Sequence, residues 1–382
     1  MNARTLHTSA ATRIPPRPWW ETWWCIVIAL LLVAAPLLFP PVPPRFQAVF
    51  GSDAAALFPW RPAIDLLAAA LTPMLGLELA IKAIVISIPV LTAAAMLWVS
   101  GQAHGRVQPS AYFALPFAYN LGLLHGFLNA TLAMALALGA VAVWLRLARQ
   151  PRVLAAVFVI LSALICATHV LGWLCLAVMI FAAELARERA VEQDIVRRGW
   201  GECGWRAALA CLPLAPPALM LLMWRAGGAD DWPASLALKP GWLTMALRDR
   251  WPLFDAGCMV VIALVIYKSY RDRRFVHAPM LVAAAIGLLV LFVAMPAGAD
   301  MTVAPYAIIL ALLSIRCNAR VKLHRRGEVA WAALAFLAIR TVAGTASFVA
   351  ESADVARPVG ADTRDFPVAD SQRGLSHPPA AR

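Results

Sequence analysis

The chain has 382 residues, of which 62% are hydrophobic and only 14% are charged, and its mean hydropathy is +0.73. A soluble globular domain has about 45–50% apolar and about 25% charged residues, so this composition excludes a soluble fold. The formal net charge of +12 falls in short basic clusters between apolar runs, which argues against nucleic-acid binding and for a membrane protein.

Apolar runs of membrane-spanning length recur along the chain. A bilayer core is about 30 Å thick and requires about 20 apolar residues per helix, which predicts an all-α polytopic membrane protein with about 11 transmembrane helices, in a range of about 10–12. The predicted segments are 22–40, 78–100, 110–124, 127–147, 153–168, 170–186, 207–224, 253–268, 278–295, 304–316 and 329–347.

These segments define a simple domain organisation. Residues 1–21 form a cytoplasmic N-terminal segment, and residues 22–347 form one integral membrane domain. Its larger external loops are 41–77 and 225–252, each with a helix expected at the membrane surface. Residues 348–382 are polar and rich in proline, which predicts a disordered tail on the far side of the membrane.

Basic clusters give the orientation. Alternate loops carry most of the arginines and lysines, at 146–152, 187–206, 268–274 and 316–326. Cytoplasmic loops are enriched in these residues, so the N-terminus is predicted to be cytoplasmic and the chain to be a multi-pass protein of the bacterial inner membrane. The first helix is preceded by an aromatic belt of Trp19, Trp20, Trp23 and Trp24.

Charged residues within apolar segments need a partner or a function, because a charge at membrane depth costs about 2.5–3.5 kcal/mol or more. Glu78 and Lys82 lie four residues apart and are predicted to form a charge pair in the membrane. Asp255 begins a helix, where it either complements the helix dipole or serves a function. Arg340 either reaches the membrane surface or serves a function.

Residues 116–129 interrupt an apolar run with proline, glycine and polar side chains. Tyr119, Asn120, His125 and Asn129 supply donors and acceptors there. This pattern is typical of a broken helix that lines a polar cavity, and it also fits an external hairpin whose side chains satisfy free backbone groups. His169 is either a packing residue or a contributor to the same external face.

The order of several short motifs resembles bacterial membrane glycosyltransferases of the GT-C type, specifically a poorly characterised branch that depends on polyprenyl-phosphate sugars. The motifs are Ala63-Ile-Asp65, Leu77-Glu78 with Lys82, Tyr119-Asn120, Gly126-Phe-Leu-Asn129, Thr168-His169 and Gly298-Ala-Asp300. The resemblance spans most of residues 22–347. The chain departs from the family in lacking a paired acidic motif after the first helix and an arginine soon after Asp300.

The resemblance implies sugar transfer from a lipid-linked donor to an envelope acceptor on the external face, with a catalytic acid in the first external loop. Asp65 and Asp53 are the acids of that loop and are therefore the catalytic candidates, while Asp65 also fits a simple helix-capping role. Candidate substrate-binding residues are Arg61, Tyr119, Asn120, His125, Asn129, His169 and Asp300, with Arg225, Arg248 or Arg250 available for a lipid phosphate.

Cofactor and partner expectations follow from the same resemblance. A divalent cation is a possible cofactor of unknown identity, and no metal-ligating residues are predicted, because the seven cysteines lack zinc-site spacing. The predicted partners are membrane lipids and a polyprenyl-phosphate sugar, with no nucleic acid and with any protein partner unknown. Two alternatives stay open: a secondary transporter or lipid flippase, and a non-catalytic envelope assembly protein.

Overall fold

A computed structural model describes residues 18–47, 49–50, 63–195, 199–218, 232–295, 300–318 and 320–356. The helices are α1 (Trp23–Leu38), α2 (Pro44–Gln47), α3 (Ala63–Leu75), α4 (Leu77–His104), α5 (Leu121–Leu124), α6 (Leu128–Leu147), α7 (Pro151–Thr168), α8 (Val170–Ile195), α9 (Trp200–Ala210), α10 (Trp232–Thr244), α11 (Pro252–Arg271), α12 (Pro279–Ala294), α13 (Asp300–Ser314) and α14 (Leu323–Ala356). Short 3₁₀ helices cover Trp19–Glu21, Pro109–Tyr119 and Leu212–Leu214, and two strands, β1 (Phe275–His277) and β2 (Ile315–Cys317), pair antiparallel.

Six of the described helices are long and apolar enough to cross a membrane. They are α4, α6, α7, residues Val170–Ala190 of α8, α11 and residues Leu323–Asp354 of α14. Four shorter apolar helices cover Trp23–Leu38, Ala63–Leu75, Pro279–Ala294 and Met301–Ser314. The structure therefore confirms an all-α membrane protein, but the described residues do not give the predicted count of about eleven spanning helices.

Apolar side chains cover the outside of this bundle. Only 22% of the most apolar window is buried in α7 and in α11, compared with 72% in α6. Ile160 is 65% exposed and Leu253 is 91% exposed. Such faces fit contact with lipid chains rather than with water. The helix α6 is accordingly central, whereas α7 and α11 lie at the periphery.

The segment predicted as a transmembrane helix at 110–124 is not a regular α-helix. It forms the 3₁₀ helix Pro109–Tyr119, followed by the single-turn helix α5, and residues 109–118 are all buried. Pro116 explains part of this difference, since proline removes a backbone donor and clashes with the preceding turn of an α-helix. At about 2 Å per residue, a 3₁₀ helix of this length still covers about 22 Å.

Two further predicted boundaries need correction. The segment 207–224 is not one continuous helix, because α9 ends at Ala210 and residues 219–231 lie outside the described part of the chain. The predicted tail does not begin at 348, because α14 continues to Ala356. Phe348 is buried against Phe46 and Tyr119, which explains why the helix continues. Residues 357–382 are outside the described residues.

The bundle has two distinct ends. At the hairpin end, which comprises β1, β2 and residues 100–110 and 320–326, Ser110 donates to the Ile315 carbonyl (2.6 Å). At the loop end, which comprises residues 40–47, 49–50, 120–129, 241–252 and 347–356, Arg45 donates to the Leu124 carbonyl (3.3 Å). A separate apolar cluster that includes Phe46, Ile64 and Phe348 supports the loop end. The functional residues described below lie at the loop end.

Close packing of α8 against α6 depends on Gly172. A Cβ atom at this position would lie 2.5 Å from the Ala133 Cβ and 2.8 Å from the Ala133 carbonyl carbon and oxygen. Backbone atoms cannot move aside as a flexible side chain can, so a side chain here separates the two helices. Small residues of this kind allow membrane helices to approach closely.

We predict that Gly172→Ala destabilises the protein by about 1–3 kcal/mol, because it overpacks this helix contact. The matched control is Gly139→Ala in α6, where an added Cβ would meet the Ala95 Cβ at an ordinary 3.9 Å. Thermal unfolding of both purified variants in detergent measures the difference. Equal unfolding midpoints for the two variants would contradict the packing assigned to Gly172.

Candidate functional site

A charged groove of about 480 Å³ lies at the loop end. Its polar lining consists of Arg45, His125, Arg248, Asp249, Arg250, Ser347 and Glu351, and its apolar lining consists of Leu121, Leu124, Trp242 and Met245. These residues come from the α1–α3 connection, α5 and the residue that follows it, the end of α10 with the turn between α10 and α11, and the last turns of α14. The groove therefore joins four parts of the chain that are distant in sequence.

A buried ion pair supports the floor of the groove. Arg340 of α14 donates to Asp255 of α11, and the two side chains are only 8% and 4% exposed. The second guanidinium nitrogen of Arg340 donates to the Leu247 carbonyl (3.0 Å), and the Asp249 backbone N–H donates to Asp255 Oδ2 (2.8 Å). These bonds hold the turn that carries Arg248, Asp249 and Arg250.

Arg45 enters the groove from the α1–α3 connection. Its guanidinium forms an ion pair with Glu351 at 2.6 Å and lies 5.0 Å from the centre of the Phe348 ring. The Arg45 Nε is buried and has no hydrogen-bond partner among the described residues. Since a buried donor without a partner is costly, this nitrogen is a natural contact for an additional acceptor.

Asp249 is the acid at the centre of the groove. Burial raises the pKa of its carboxyl above the ordinary value of 3.8, and the hydrogen bond with Ser347 and the charge of Arg45 oppose that rise. The neighbouring charges of Asp255 and Arg340 act in opposite directions and have smaller effects. A carboxyl with a raised pKa can exchange a proton nearer to neutral pH, which general acid–base catalysis requires.

A small cavity of about 30 Å³ extends from the groove toward the buried ion pair. It shares Leu124 and Asp249 with the groove, and Tyr119, Arg340 and Thr341 also line it. Its size matches about one water molecule. The rest of its lining is apolar, so Asp249 and Arg340 are the charged groups of a mainly apolar cavity that lies between the groove and the ion pair.

Some of the predicted site residues lie in this region. His125, Arg248 and Arg250 line the groove, and Tyr119 lines the small cavity while its hydroxyl donates to the Val33 carbonyl (2.7 Å). Asn120 is buried and caps α5, with its side-chain oxygen accepting from the Leu123 N–H (3.1 Å). The broken segment at 116–129 therefore contributes both to a polar cavity and to the satisfaction of backbone groups.

The other predicted residues occupy different positions. Asp65 is half-buried in the first turn of α3 and is not part of the groove lining. Asn129 accepts from the Ile64 N–H (3.2 Å), which fixes the start of α3 against α6. His169 is half-buried and accepts from the Leu171 N–H through Nδ1 (3.2 Å), and burial lowers its pKa. The side chain of Asp300 and residues Asp53, Arg61 and Arg225 lie outside what the structure describes.

Lys82 donates to the Pro40 carbonyl (3.2 Å), whereas Glu78 is exposed. Among the described ion pairs, none joins these two residues. The contact of Lys82 fixes the connection after α1, which also carries Arg45. Lys82 thus has a clear structural role at the loop end.

Sequence reasoning did not select Arg45, Asp249 and Glu351 as site residues. Arg45 follows a proline-rich stretch and served only as an indicator of orientation, and Asp249 stands between two arginines before an apolar helix. This alternation of charges just before an apolar helix could have indicated Asp249 as a site residue. Nothing in the sequence pairs Arg45 with Glu351, which lies about 300 residues later in the chain.

We predict that Arg340→Met destabilises the protein by about 3–5 kcal/mol, because it leaves the Asp255 carboxylate buried without its counter-ion. Replacing both partners, as Asp255→Leu with Arg340→Met, should recover most of the loss. Arg206→Met is the control, since its ion pair with Glu202 is about half exposed (48% and 49%) and should contribute little. Thermal unfolding distinguishes the three variants, and a double variant as unstable as the single one would contradict the pairing.

We also predict that Asp249 lowers stability as pH rises from about 4 through its raised pKa, because the folded protein favours the neutral carboxyl. The raised pKa of Glu351 acts in the same direction and the lowered pKa of His169 in the opposite one, so the test compares each variant with the wild type. Asp249→Asn should gain stability relative to the wild type as pH rises, whereas Asp65→Asn should keep the pH dependence of the wild type. Unfolding midpoints measured between about pH 4 and pH 8 test this, and a difference between Asp249→Asn and the wild type that does not change with pH would refute the assignment.

The groove combines three arginines, two acids and an apolar rim, and so suits an anionic group attached to an apolar chain. Within the described residues, no group of three or more His, Cys, Asp or Glu side chains is placed to hold a metal ion. No protein-family model matches the chain, and neither a curated protein nor a solved structure is significantly similar to it. The chemistry assigned to this site therefore follows from its own residues.

Proposed function

We propose that this chain is a membrane glycosyltransferase-like protein whose groove binds the phosphate of a lipid-linked sugar. The observation that carries the proposal is Asp249, a partly buried acid between Arg248 and Arg250 and facing Arg45 across the groove. Arginine guanidinium groups hold phosphate oxygens, and an acid with a raised pKa can accept a proton from an acceptor hydroxyl. These are the two requirements of sugar transfer from a phosphate leaving group.

The apolar part of the groove supports a lipid-linked donor rather than a water-soluble one. Trp242, Met245 and Leu121 line it beside the charged residues. Leu253, at the start of α11, is 91% exposed and lies next to the turn that carries Asp249. A polyprenyl chain could therefore stay in the bilayer while its phosphate reaches the arginines.

Glu351 and Asp354 fit this proposal as internal anions. Glu351 pairs with Arg45 at 2.6 Å, and Asp354 pairs with Arg250 at 2.8 Å. Both acids belong to the last turns of α14, so that helix neutralises two of the groove's cations. A phosphate that enters the groove would compete with these carboxylates for the arginines.

The proposal includes a GT-C-like architecture with the N-terminus in the cytoplasm of a bacterium and the groove on the external side of its inner membrane. Basic residues concentrate at the hairpin end, at Arg149, Arg152, Arg273, Arg320 and Arg325, which favours that end as cytoplasmic. The proposal keeps the predicted count of about eleven passes, of which six described helices are long and apolar enough to span a membrane. The acceptor would then be part of the cell envelope.

A secondary transporter or flippase is a second candidate, favoured by the buried Asp255 and Arg340 pair within two spanning helices. Charges inside a membrane bundle frequently mark ion or substrate pathways. The small cavity joins this pair to the groove through Asp249. Uptake of a substrate into proteoliposomes without sugar transfer would favour this candidate.

The proposal predicts that substitutions at two neighbouring residues affect different steps, one of them binding and the other transfer. Arg248→Gln should weaken binding of a short-chain prenyl phosphate about tenfold, because it removes an exposed groove cation, whereas Asp249→Asn should bind normally and lose about 10²–10⁴-fold in transfer. Binding is measured by calorimetry in detergent, and transfer is measured from radiolabelled polyprenyl-phosphate sugars to envelope extract. Arg206→Gln is the control for general charge loss.

Asp65→Asn and Asp53→Asn, assayed beside these variants, decide between the acids. Transfer that survives in Asp249→Asn and is lost in Asp65→Asn or Asp53→Asn would move the catalytic role to the first external loop. Loss of prenyl phosphate binding in Arg206→Gln, or unchanged binding in Arg248→Gln, would reject the groove as the phosphate site.

A further inference from the structure

The hairpin end carries a second groove that the proposed function does not use. It has a volume of about 550 Å³ and is lined by Asp272, Arg273, Arg274, Asn318, Arg320, Val321, Lys322 and Arg325. Five of these residues are basic and one is acidic. The acidic residue, Asp272, forms an exposed ion pair with Arg274 at 3.6 Å, and this pair contributes little to stability.

The basic side chains come from two opposite walls. Arg273 and Arg274 belong to the turn between α11 and β1. Arg320 and Lys322 belong to the connection from β2 to α14, and Arg325 lies in the first turn of α14. Within the part of the chain that the structure describes, the side chains of Arg273, Arg320, Lys322 and Arg325 have no acidic partner. Cations that converge from two sides are suited to an anion with more than one phosphate.

Backbone contacts fix the distance between the two walls. The Asn318 N–H donates to the Arg274 carbonyl (2.7 Å), which extends the pairing of β1 with β2. Arg326 then donates to the carbonyls of Asn318 (2.8 Å) and Val321 (3.1 Å). The groove is therefore a built feature of the fold rather than a chance meeting of mobile side chains.

Exposed apolar and aromatic side chains lie close in the chain to the groove residues of both walls. Tyr267 and Tyr270, in the last turns of α11, are each 59% exposed, and Leu323, next to Lys322, is 57% exposed. Tyrosines at the ends of spanning helices mark the level of lipid headgroups, with acyl chains against the apolar face beyond them. The face of α11 that leads away from the groove includes the exposed Leu264 and Val260.

We propose that this groove is a binding site for an anionic phospholipid with two phosphate groups, such as cardiolipin, with its headgroup between the walls and its acyl chains against α11 and α14. Each arginine or lysine near an anionic lipid surface strengthens the binding of the lipid, so several converging cations give selective retention. This site is separate from the loop-end groove and does not depend on the function proposed for it.

The test is a titration of the full chain in neutral detergent with cardiolipin, with phosphatidylcholine and with inorganic diphosphate. Native mass spectrometry counts bound lipid, and thermal unfolding measures stabilisation. We expect that cardiolipin stays bound to the protein and stabilises it, and that phosphatidylcholine and inorganic diphosphate do neither. The double variant Arg320→Gln with Lys322→Gln should bind cardiolipin about 10–30-fold more weakly, as expected for two lost charges.

The matched control is Arg149→Gln with Arg152→Gln, which removes two exposed arginines, one from the α6–α7 turn and one from the first turn of α7, outside the groove. Its cardiolipin affinity should equal that of the wild type. Equal affinity in the Arg320 and Lys322 variant, or equal loss in both variants, would overturn the proposal. Binding of inorganic diphosphate as tight as that of cardiolipin, or of a single-stranded oligonucleotide without any lipid effect, would also overturn it. Unfolding in phosphatidylcholine alone shows whether each variant is folded.

Discussion

The buried ion pair between Arg340 and Asp255 is the constraint on which the loop end depends. Removing two charges from water costs several kcal/mol for each ion, and the pair is tolerated only when its remaining hydrogen-bonding groups are also satisfied. Here the Leu247 carbonyl accepts from Arg340, and the Asp249 N–H donates to Asp255. The same bonds that make the pair tolerable also hold the turn before α11. The positions of Arg248, Asp249 and Arg250 therefore follow from a requirement of the membrane interior.

This arrangement explains why an acid with a raised pKa lies among arginines. Cations alone would lower the pKa of Asp249, but the small volume between α14 and the turn buries its carboxyl, and burial has the larger effect. Arg45 lowers the pKa of Asp249 by less than burial raises it, and Arg45 also forms an ion pair with Glu351. The groove thus keeps positive charge available at its rim and an easily protonated acid at its centre.

Much of the fold was accessible from the sequence because hydrophobicity and length report directly on helices in a bilayer. The apolar runs at 127–147 and 253–268 correspond closely to α6 and α11. The 3₁₀ geometry of Pro109–Tyr119 was less accessible, since composition shows that a segment is apolar but not how tightly its backbone winds. The end of α14 was also missed, because Phe348 extends the helix through packing against Phe46, which is about 300 residues earlier.

Part of the candidate site was also predicted, because its polar residues interrupt apolar runs. His125 and the arginines near 250 could be selected, because polar residues beside apolar runs stand out in a sequence. The partners of charged residues could not be predicted. Asp255 fitted a contact with the helix dipole, and Arg340 fitted a side chain that reaches the membrane surface. Only the contact between α11 and α14 in the structure shows that each residue is the counter-ion of the other.

The charged residues at the two ends of the bundle differ in how deeply they are buried. At the hairpin end the cations are exposed and mostly unpaired among the described residues, as suits contact with headgroups, whereas at the loop end Arg45 and Arg340 are held by acids, as suits a site whose occupant must displace an internal partner.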